Sequence, residues 1–292
     1  MNGNLNPIAA VGLIVIGGWS AAAAQDYQIR LEQPGKVGSK QRLSGIGAQT
    51  DRATITSSGK LVQSTESAFT IELTADVTEL EIEAKGHVTR KSLLVISSKI
   101  TKEGVTKPLL PQGTVVFASA ENGTTVFKVN GEPVAEDVAK GLSSLISVYT
   151  GGPSDDELFG TRIRRRVGES WSLNADAVMA FLKEIDAQAP NEGISGTTTL
   201  QKVEDDHLVI SGSINVKKLV MPLPSGFKCD EGELRAEFSG RFPIGHSNTS
   251  LDGTESLLMT MTGKRAATDG MAEVTMKIHS EARSRYSIST VK

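Results

Sequence analysis

Residues 274–288 read VTMKIHSEARSRYSI, and their side chains alternate in polarity with a period of two. Apolar or small side chains occupy the even positions from Val274 to Ile288, whereas most charged side chains occupy the odd positions. Successive side chains of a strand point to opposite faces, whereas a helix would mix the two sets. This stretch therefore predicts a long β-strand with one face in the core and one in solvent. At about 3.3 Å per residue, we expect such a strand to coil strongly or to contain a bulge.

A second stretch, Phe69–Ala84, shows the same alternation with one change of phase. Its apolar side chains occupy odd positions up to Val77 and even positions thereafter. One extra residue near Thr78–Glu79 would produce this shift, which predicts a β-bulge there. Shorter runs at residues 208–216 and 234–242 also have one apolar and one polar face, which is typical of antiparallel sheets.

Helical periodicity is confined to the middle of the chain. Apolar residues recur at helical spacing from Val134 to Tyr149, after a turn signal that ends at Pro133. A second run over residues 175–188 follows Asn174, a residue type that commonly caps helix N-termini. We therefore expect two amphipathic helices, at 134–149 and 175–188, packed on the sheet. The expected fold class is α+β, with a strongly curved, half-barrel-like antiparallel sheet in two related halves.

The two related halves are inferred from short sequence matches that occur in the same order. The segment Leu94–Ser97 matches Leu208–Ser211, and a Pro-Leu turn follows each at equal spacing. This order predicts an old internal duplication. The N-terminal half is expected at 25–150, ending in a helix, and the C-terminal half at 151–292. They would form either two facing half-barrels or one continuous curved sheet.

Residues 1–24 have the pattern of a cleavable signal peptide. They contain no Asp, Glu, Lys or Arg, and an apolar run from Ile8 to Ile16 precedes four alanines. Small residues at Ala22 and Ala24 fit the usual cleavage site. An uncleaved anchor helix is the alternative, but the run is shorter than the ~20 apolar residues that span a bilayer. We expect cleavage after Ala24, no further membrane span, and a periplasmic or secreted protein.

One stretch in the middle of the chain carries a resemblance to known proteins. Leu158–Gly160 leads to Val167–Trp171, and this stretch resembles the junction in exported bacterial β-rich proteins that have no assigned activity. The resemblance implies export and a β-rich fold, and it brings no catalytic residues. The expected architecture is also similar to that of periplasmic half-barrel carriers of lipoproteins and lipids, an analogy of fold alone.

Composition and motifs disfavour several classes of function. A net charge of −3, a pI near 5.9 and 4% aromatic residues argue against a nucleic-acid-binding protein. The sequence contains no HExxH, CxxC or GxSxG motif and no glycine-rich phosphate loop. The single cysteine, Cys229, lies beside an acidic pair that disfavours its thiolate, so we expect a structural role. We expect no catalytic residue, no metal and no cofactor.

Several polar segments have simple structural interpretations. Ser57–Lys60 fits an SxxK pattern, but its glycine and the lack of helical periodicity predict a turn. We expect His207 and His279 to be solvated, since His279 lies on a polar strand face and His207 begins a strand. The acidic run Asp155–Glu157 predicts the start of a short helix. The run Glu204–Asp206 predicts the cap of a hairpin.

The most conspicuous charge cluster consists of four arginines around Ile163. One interpretation is contact with an anionic surface, such as phospholipid headgroups or acidic polysaccharide. The other is a solvated strand edge, where positive charge prevents pairing between sheet edges. The candidate residues for anionic contact are Arg162, Arg164, Arg165 and Arg166.

Two functions of different classes fit these observations. The first is a non-enzymatic carrier or binding protein of the cell envelope that encloses an apolar, lipid-like ligand between its sheet and helices. The second is a structural or protein-interaction module of the envelope, whose sheet faces are filled as core. Expected partners are thus an apolar ligand or an envelope protein, and not nucleic acid.

Overall fold

The computed structural model describes residues 25–245, 250–265 and 273–291, and it consists mainly of β-strands. Strands account for 60% and helices for 11% of these residues. The expectation of an α+β fold with two amphipathic helices is therefore wrong, because the helices are short and the strands are long. In chain order the strands are β1 (Lys40–Ser57), β2 (Lys60–Ile82), β3 (Val88–Lys102), β4 (Val105–Pro108), β5 (Val115–Glu121), β6 (Thr124–Val129), β7 (Glu132–Pro133), β8 (Ser170–Ser172), β9 (Ile194–Glu204), β10 (His207–Lys217), β11 (Lys228–Pro243), β12 (Leu251–Arg265) and β13 (Val274–Thr290).

All thirteen strands of the described residues belong to one antiparallel sheet, which is not closed. The strand order is β7-β6-β5-β3-β2-β1-β13-β12-β11-β10-β9-β8, and β4 pairs with β3. Most neighbours in the sheet are therefore also neighbours in the chain. The exception lies at the centre, where β1 pairs with β13 along seventeen residue pairs from Gln41–Thr290 to Ser57–Val274. This pairing joins the two ends of the described chain into one sheet.

The strands follow the alternation of the sequence. Strand β13 is confirmed, and its odd positions from Arg283 to Ser289 are exposed while the even positions between them are half-buried. Strand β2 changes phase where predicted, because its register with β3 shifts between Glu79 and Glu81 and leaves Leu80 as the extra residue. The predicted turn at Ser57–Lys60 is also confirmed: it connects β1 to β2 through two residues with positive φ.

Three short helices replace the two that the sequence predicted: α1 (Glu136–Ser143), α2 (Asp155–Phe159) and α3 (Ala175–Glu184). Helix α3 begins where predicted but ends at Glu184, before the predicted end at residue 188, and the Asn174 side chain accepts a hydrogen bond from the Ala177 N–H at 3.3 Å. Helix α2 begins at the predicted acidic run and has a capping box formed by Ser154 and Glu157.

The predicted helix over 134–149 is too long at both ends. Pro133 lies in β7, and the chain beyond Ser144 is not helical. There Ile146 and Val148 are buried two residues apart, and the Tyr149 N–H donates to the Val88 carbonyl at 2.8 Å. These extended residues happen to continue the helical spacing of α1, so periodicity alone did not show where the helix ends.

Three clusters of buried side chains fill the contact between one sheet face and the segments that cover it. We call this the inner face. The first cluster joins β1–β3, β5 and β6 to α1, the second joins β9–β11 to α2 and α3, and the third joins β9–β11 to residues 27–31. Side chains on the opposite face of the same strands, the outer face, alternate with these core residues.

The matched segments of the predicted duplication lie in strands β3 and β10. Their burial differs at the start of the match, because Leu94 is 44% exposed whereas Leu208 is 2% exposed. A register shift in β3 leaves Ile96 unpaired, and Ile100 and Ile214 are then both buried. The duplication, with its boundary near residue 150, stays a prediction. Residues 1–24, the predicted signal peptide, lie outside the described residues.

Candidate functional site

The arginine cluster lies where the N-terminal segment meets the chain after α2. The Arg164 guanidinium donates to the Asp26 carbonyl at 2.6 Å, and Arg166 Nε donates to the Asp26 carboxylate at 2.7 Å. The backbone of Arg165 pairs with Tyr27, and its guanidinium lies over the Trp171 ring at 5.4 Å. Arg162 is exposed. Three of the four arginines thus fasten residues 26–27, and contact of the cluster with an anionic surface stays a prediction.

A group of ionisable side chains lies beside helix α2. Glu32 accepts hydrogen bonds from the Asp155 N–H at 2.7 Å and contacts His87 Nδ1 at 3.1 Å. The His87 ring stacks on Tyr149 with a centroid distance of 4.3 Å. The Asp156 carboxylate accepts a hydrogen bond from the Leu31 N–H at 2.7 Å. These contacts fix the N-terminal segment to α2.

The pKa of Asp155 is strongly perturbed in this group. Asp155 keeps solvent-accessible surface, yet protein atoms densely surround its carboxyl group. Desolvation, followed by the negative charges of Glu32, Glu255 and Asp156, raises the pKa of Asp155 to about 7. Burial raises the pKa of Tyr286 as well, and its hydroxyl donates to Glu255 at 3.0 Å. Asp155 is therefore a carboxyl group that can change charge near neutral pH, and burial also raises the pKa of the neighbouring Asp156.

The histidines differ from the sequence prediction in one respect. His207 is 6% exposed and not solvated, because its ring contacts the Asp205 carbonyl at 2.6 Å and the Ser250 hydroxyl at 2.8 Å. His279 is half-buried on the outer face, and His246 lies outside the described residues. Within the described ranges, no three His, Cys, Asp or Glu side chains are arranged to hold a metal ion.

The outer face contains an open groove of about 920 Å³ across strands β9–β13. Its position follows from alternation: Ile210 and Ile214 of β10 are buried, so Ser211 and Ser213 point to the other side. Seven hydroxyl-bearing side chains of this face line the groove, namely Thr197, Thr199, Ser211, Ser213, Ser239, Thr254 and Ser256. The lining is therefore rich in groups that both donate and accept hydrogen bonds.

The strand register arranges these hydroxyl groups in two rows that cross the strands. The first row continues to Ser170 at the sheet edge and consists of directly paired residues: Ser170, Thr199, Ser211, Ser239 and Thr254. The second row lies two residues away along each strand and consists of Ser172, Thr197, Ser213, Glu237 and Ser256. With neighbouring strands about 4.8 Å apart, each row is about 19 Å long.

Both rows end at arginines of β13. Thr254 pairs with Arg285, and Ser256 pairs with Arg283. Arg283 forms an ion pair with Glu281 on its own strand, and Arg235 does the same with Glu237. The Arg285 side chain is exposed and forms no hydrogen bond or ion pair with any residue of the described ranges. The groove lining thus combines hydroxyl groups with two neutralised charge pairs and the apolar side chain of Leu258, and the guanidinium of Arg285 lies beside the lining, at the end of the first row.

The groove has no signature in the sequence of any single strand. Each strand shows only that its polar face carries serine and threonine, which is ordinary for a solvent-facing strand. The rows depend on which residues of different strands lie side by side, as with Thr199 and Ser211, and this requires the register of the whole sheet.

No protein-family model and no curated protein sequence matches the chain. Among solved structures, a lipovitellin structure on lipid–protein interactions matches 88% of this chain at 8% identity and a TM-score of 0.36. The outer membrane protein OprG from Pseudomonas aeruginosa matches 89% of this chain and 100% of its own, at 6% identity and a TM-score of 0.24. OpdQ from the same organism matches 86% of this chain and 97% of its own, at 7% identity and a TM-score of 0.18. This chain spans about a quarter (26%) of the lipovitellin chain, and at these TM-scores the matches carry no inference. Among the described residues, no helix is long and apolar enough to cross a bilayer.

Proposed function

We propose that the protein is a non-enzymatic binding protein of the cell envelope, and that its ligand is a polyhydroxylated chain such as a polysaccharide. The observation that carries this proposal is the groove on the outer face, with its two rows of side chains. The signal-peptide pattern of residues 1–24 supports the proposed location.

The chemistry of the lining favours a ligand that forms many hydrogen bonds. A serine or threonine hydroxyl both donates and accepts, as do the hydroxyl groups of a sugar. The partial exposure of groove residues such as Ser211 and Thr199 leaves these groups accessible. In the first row, Ser211 accepts a hydrogen bond from the Gln201 amide at 2.8 Å, which holds its oxygen in place.

The shape of the groove favours an extended ligand. The groove is open to solvent and crosses five strands, so a chain that lies along a row can enter and leave at both ends. An apolar ligand, by contrast, needs a site that removes most of its surface from water. On the inner face, the contact between sheet and helices is filled by side chains such as Leu142 and Leu182, both almost fully buried. The groove therefore supports a polar ligand better than the apolar ligand expected from the sequence.

Binding to soluble linear glucans and to purified bacterial sacculi tests the proposal. The protein beginning at Gln25 is titrated with the glucans by calorimetry and sedimented with the sacculi. Replacing two hydroxyl groups of the first row by methyl groups, in Thr199→Val/Thr254→Val, removes hydrogen bonds worth about 1 kcal/mol each. We expect the Kd to rise about 30-fold.

The matched control is Thr260→Val/Thr262→Val, on the same face of β12 but outside the groove, and it should change the Kd less than twofold by the same reasoning. In a parallel experiment, a fluorescent fatty acid tests the alternative that the ligand is apolar. Uptake of the fatty acid together with no glycan or sacculus binding would overturn the proposal in favour of the apolar carrier. Equal loss of affinity in the control pair would place the ligand elsewhere on the sheet.

A further inference from the structure

Beside the β13 end of the groove lies a positive charge that is not itself part of the lining. Both rows end there, at Arg283 and Arg285, two residues apart on the outer face of one strand. Side chains two apart on a strand lie on the same face, about 6–7 Å from each other along it. Their guanidinium groups can therefore act on the same segment of a ligand.

The two arginines differ in how their charge is balanced. Arg283 forms an ion pair with Glu281, whose carboxylate also lines the groove. The exposed Arg285 has no such partner in the part of the chain that the structure describes. Its next neighbours across the sheet are Thr254 on one side and Ile46 on the other, and neither carries a charge. The guanidinium of Arg285 is thus left available to an anion outside the protein.

We infer that the ligand of the groove is an acidic glycan, and that a carboxylate or phosphate group of the glycan binds Arg285 at the end of the hydroxyl rows. This inference rests on the proposed function and adds the charge and the orientation of the ligand. A guanidinium pairs with carboxylate or phosphate through two parallel N–H···O bonds, which a neutral sugar cannot provide. The hydroxyl rows then hold the adjoining sugar units.

The charges on the other strands of the groove are consistent with one acidic group at this end. Toward the opposite side, Glu237 occupies the second row and is paired with Arg235, so that position is neutral overall. The first row has no acidic side chain between Ser170 and Thr254. Glu255 also borders the groove, but its carboxylate accepts a hydrogen bond from the hydroxyl of Tyr286, which packs against the first core cluster on the inner face. A negative group therefore finds its uncompensated partner at Arg285, and the remaining lining is suited to hydroxyl groups.

Three soluble probes test the inference: a polyuronate, a phosphate-bearing polyol polymer and a neutral glucan. We expect both acidic polymers to bind at least about tenfold more tightly than the glucan at low ionic strength, because a charge-assisted bidentate contact is about twice as strong as a neutral hydrogen bond. The advantage should shrink as salt is added, since the contact is exposed and screened. Tighter binding of one acidic polymer than of the other identifies the group as carboxylate or phosphate.

Variants of Arg285 separate this inference from the proposed function. In Arg285→Gln we expect the Kd for the acidic polymers to rise about tenfold while the Kd for the glucan stays within twofold. Arg285→Lys keeps the charge without the bidentate geometry, and it should recover part of the affinity. Lys277→Gln is the matched control, because Lys277 is an exposed cation on the same face of β13 but pairs with Thr262, outside the two rows.

The outcomes are distinguishable. If the glucan binds as tightly as the acidic polymers and Arg285→Gln changes neither, the acidic ligand is refuted while the groove remains a glycan site. If none of the three polymers binds, the proposed function fails together with the inference. If Lys277→Gln weakens acidic binding as much as Arg285→Gln, the effect is one of overall charge and the assigned contact is wrong.

Discussion

Shortening Ile210 should destabilise the protein strongly, whereas shortening its neighbour Val209 should not. Ile210 is fully buried in the third cluster beside Leu200 and Phe242, and Val209 is half-buried on the opposite face of β10. Ile210→Ala removes most of a core side chain and leaves a cavity, which costs about 3–4 kcal/mol at a fully buried site. Val209→Ala removes less surface from a partly solvated site and should cost about 1 kcal/mol or less.

Urea denaturation of the protein beginning at Gln25 measures both values. Trp171 is then the single tryptophan, since the other is Trp19, and it lies in the same cluster as Ile210, so its fluorescence reports the unfolding of this core. For a chain of this size a loss of 3–4 kcal/mol lowers the Tm by about 10 °C. Equal losses for the two variants, or a larger loss for Val209→Ala, would refute the assignment of inner and outer faces.

Three further changes have defined outcomes. Between about pH 4 and pH 7 the raised pKa of Asp155 lets the folded state keep a proton that the unfolded state has lost, so the contribution of this group to wild-type stability falls as the pH rises. The Tm of Asp155→Asn should therefore rise relative to wild type from pH 5 to pH 8, and a constant difference would contradict this. Trp171→Phe should cost about 2–3 kcal/mol in urea, because the indole N–H donates to the Phe159 carbonyl at 2.7 Å and the ring is buried; no loss would show that the contact is dispensable. Gly47→Ala should lower the Tm by several degrees, since a Cβ there would lie 2.8 Å from Ser144 Cβ, and adding Ser144→Ala should recover part of the loss; an unchanged Tm in the single variant would contradict this contact.

The features that the sequence predicted correctly depend on neighbouring residues. Alternation within Val274–Ile288 gave strand β13, and a change of phase gave the bulge at Leu80. Asn174 marked the start of α3 because its side chain caps the next turn. In each case the physical cause lies within a few residues of the pattern that reports it.

The features that the sequence did not predict depend on residues far apart in the chain. His207 is buried where its ring contacts Ser250, a residue far away in the chain. The charge of Arg166 is paired with the carboxylate of Asp26, which is also distant in the chain. Helix α1 ends before Ile146 because the chain then packs beside β3, which the spacing of apolar residues does not reveal. The groove shows this dependence on distant residues most clearly, because its two rows form only when strands β8–β12 are paired in register.

The groove as the binding site is tested most directly by the reactivity of single thiols. In a Cys229→Ser background, Ser239→Cys places a thiol in the groove and Ala236→Cys places one on the inner face of the same strand. We expect Ser239→Cys to react rapidly with a maleimide and to be protected by a saturating acidic polysaccharide, while Ala236→Cys reacts slowly with or without it. Rapid reaction of Ala236→Cys, or a bound polysaccharide that leaves Ser239→Cys unprotected, would contradict the account.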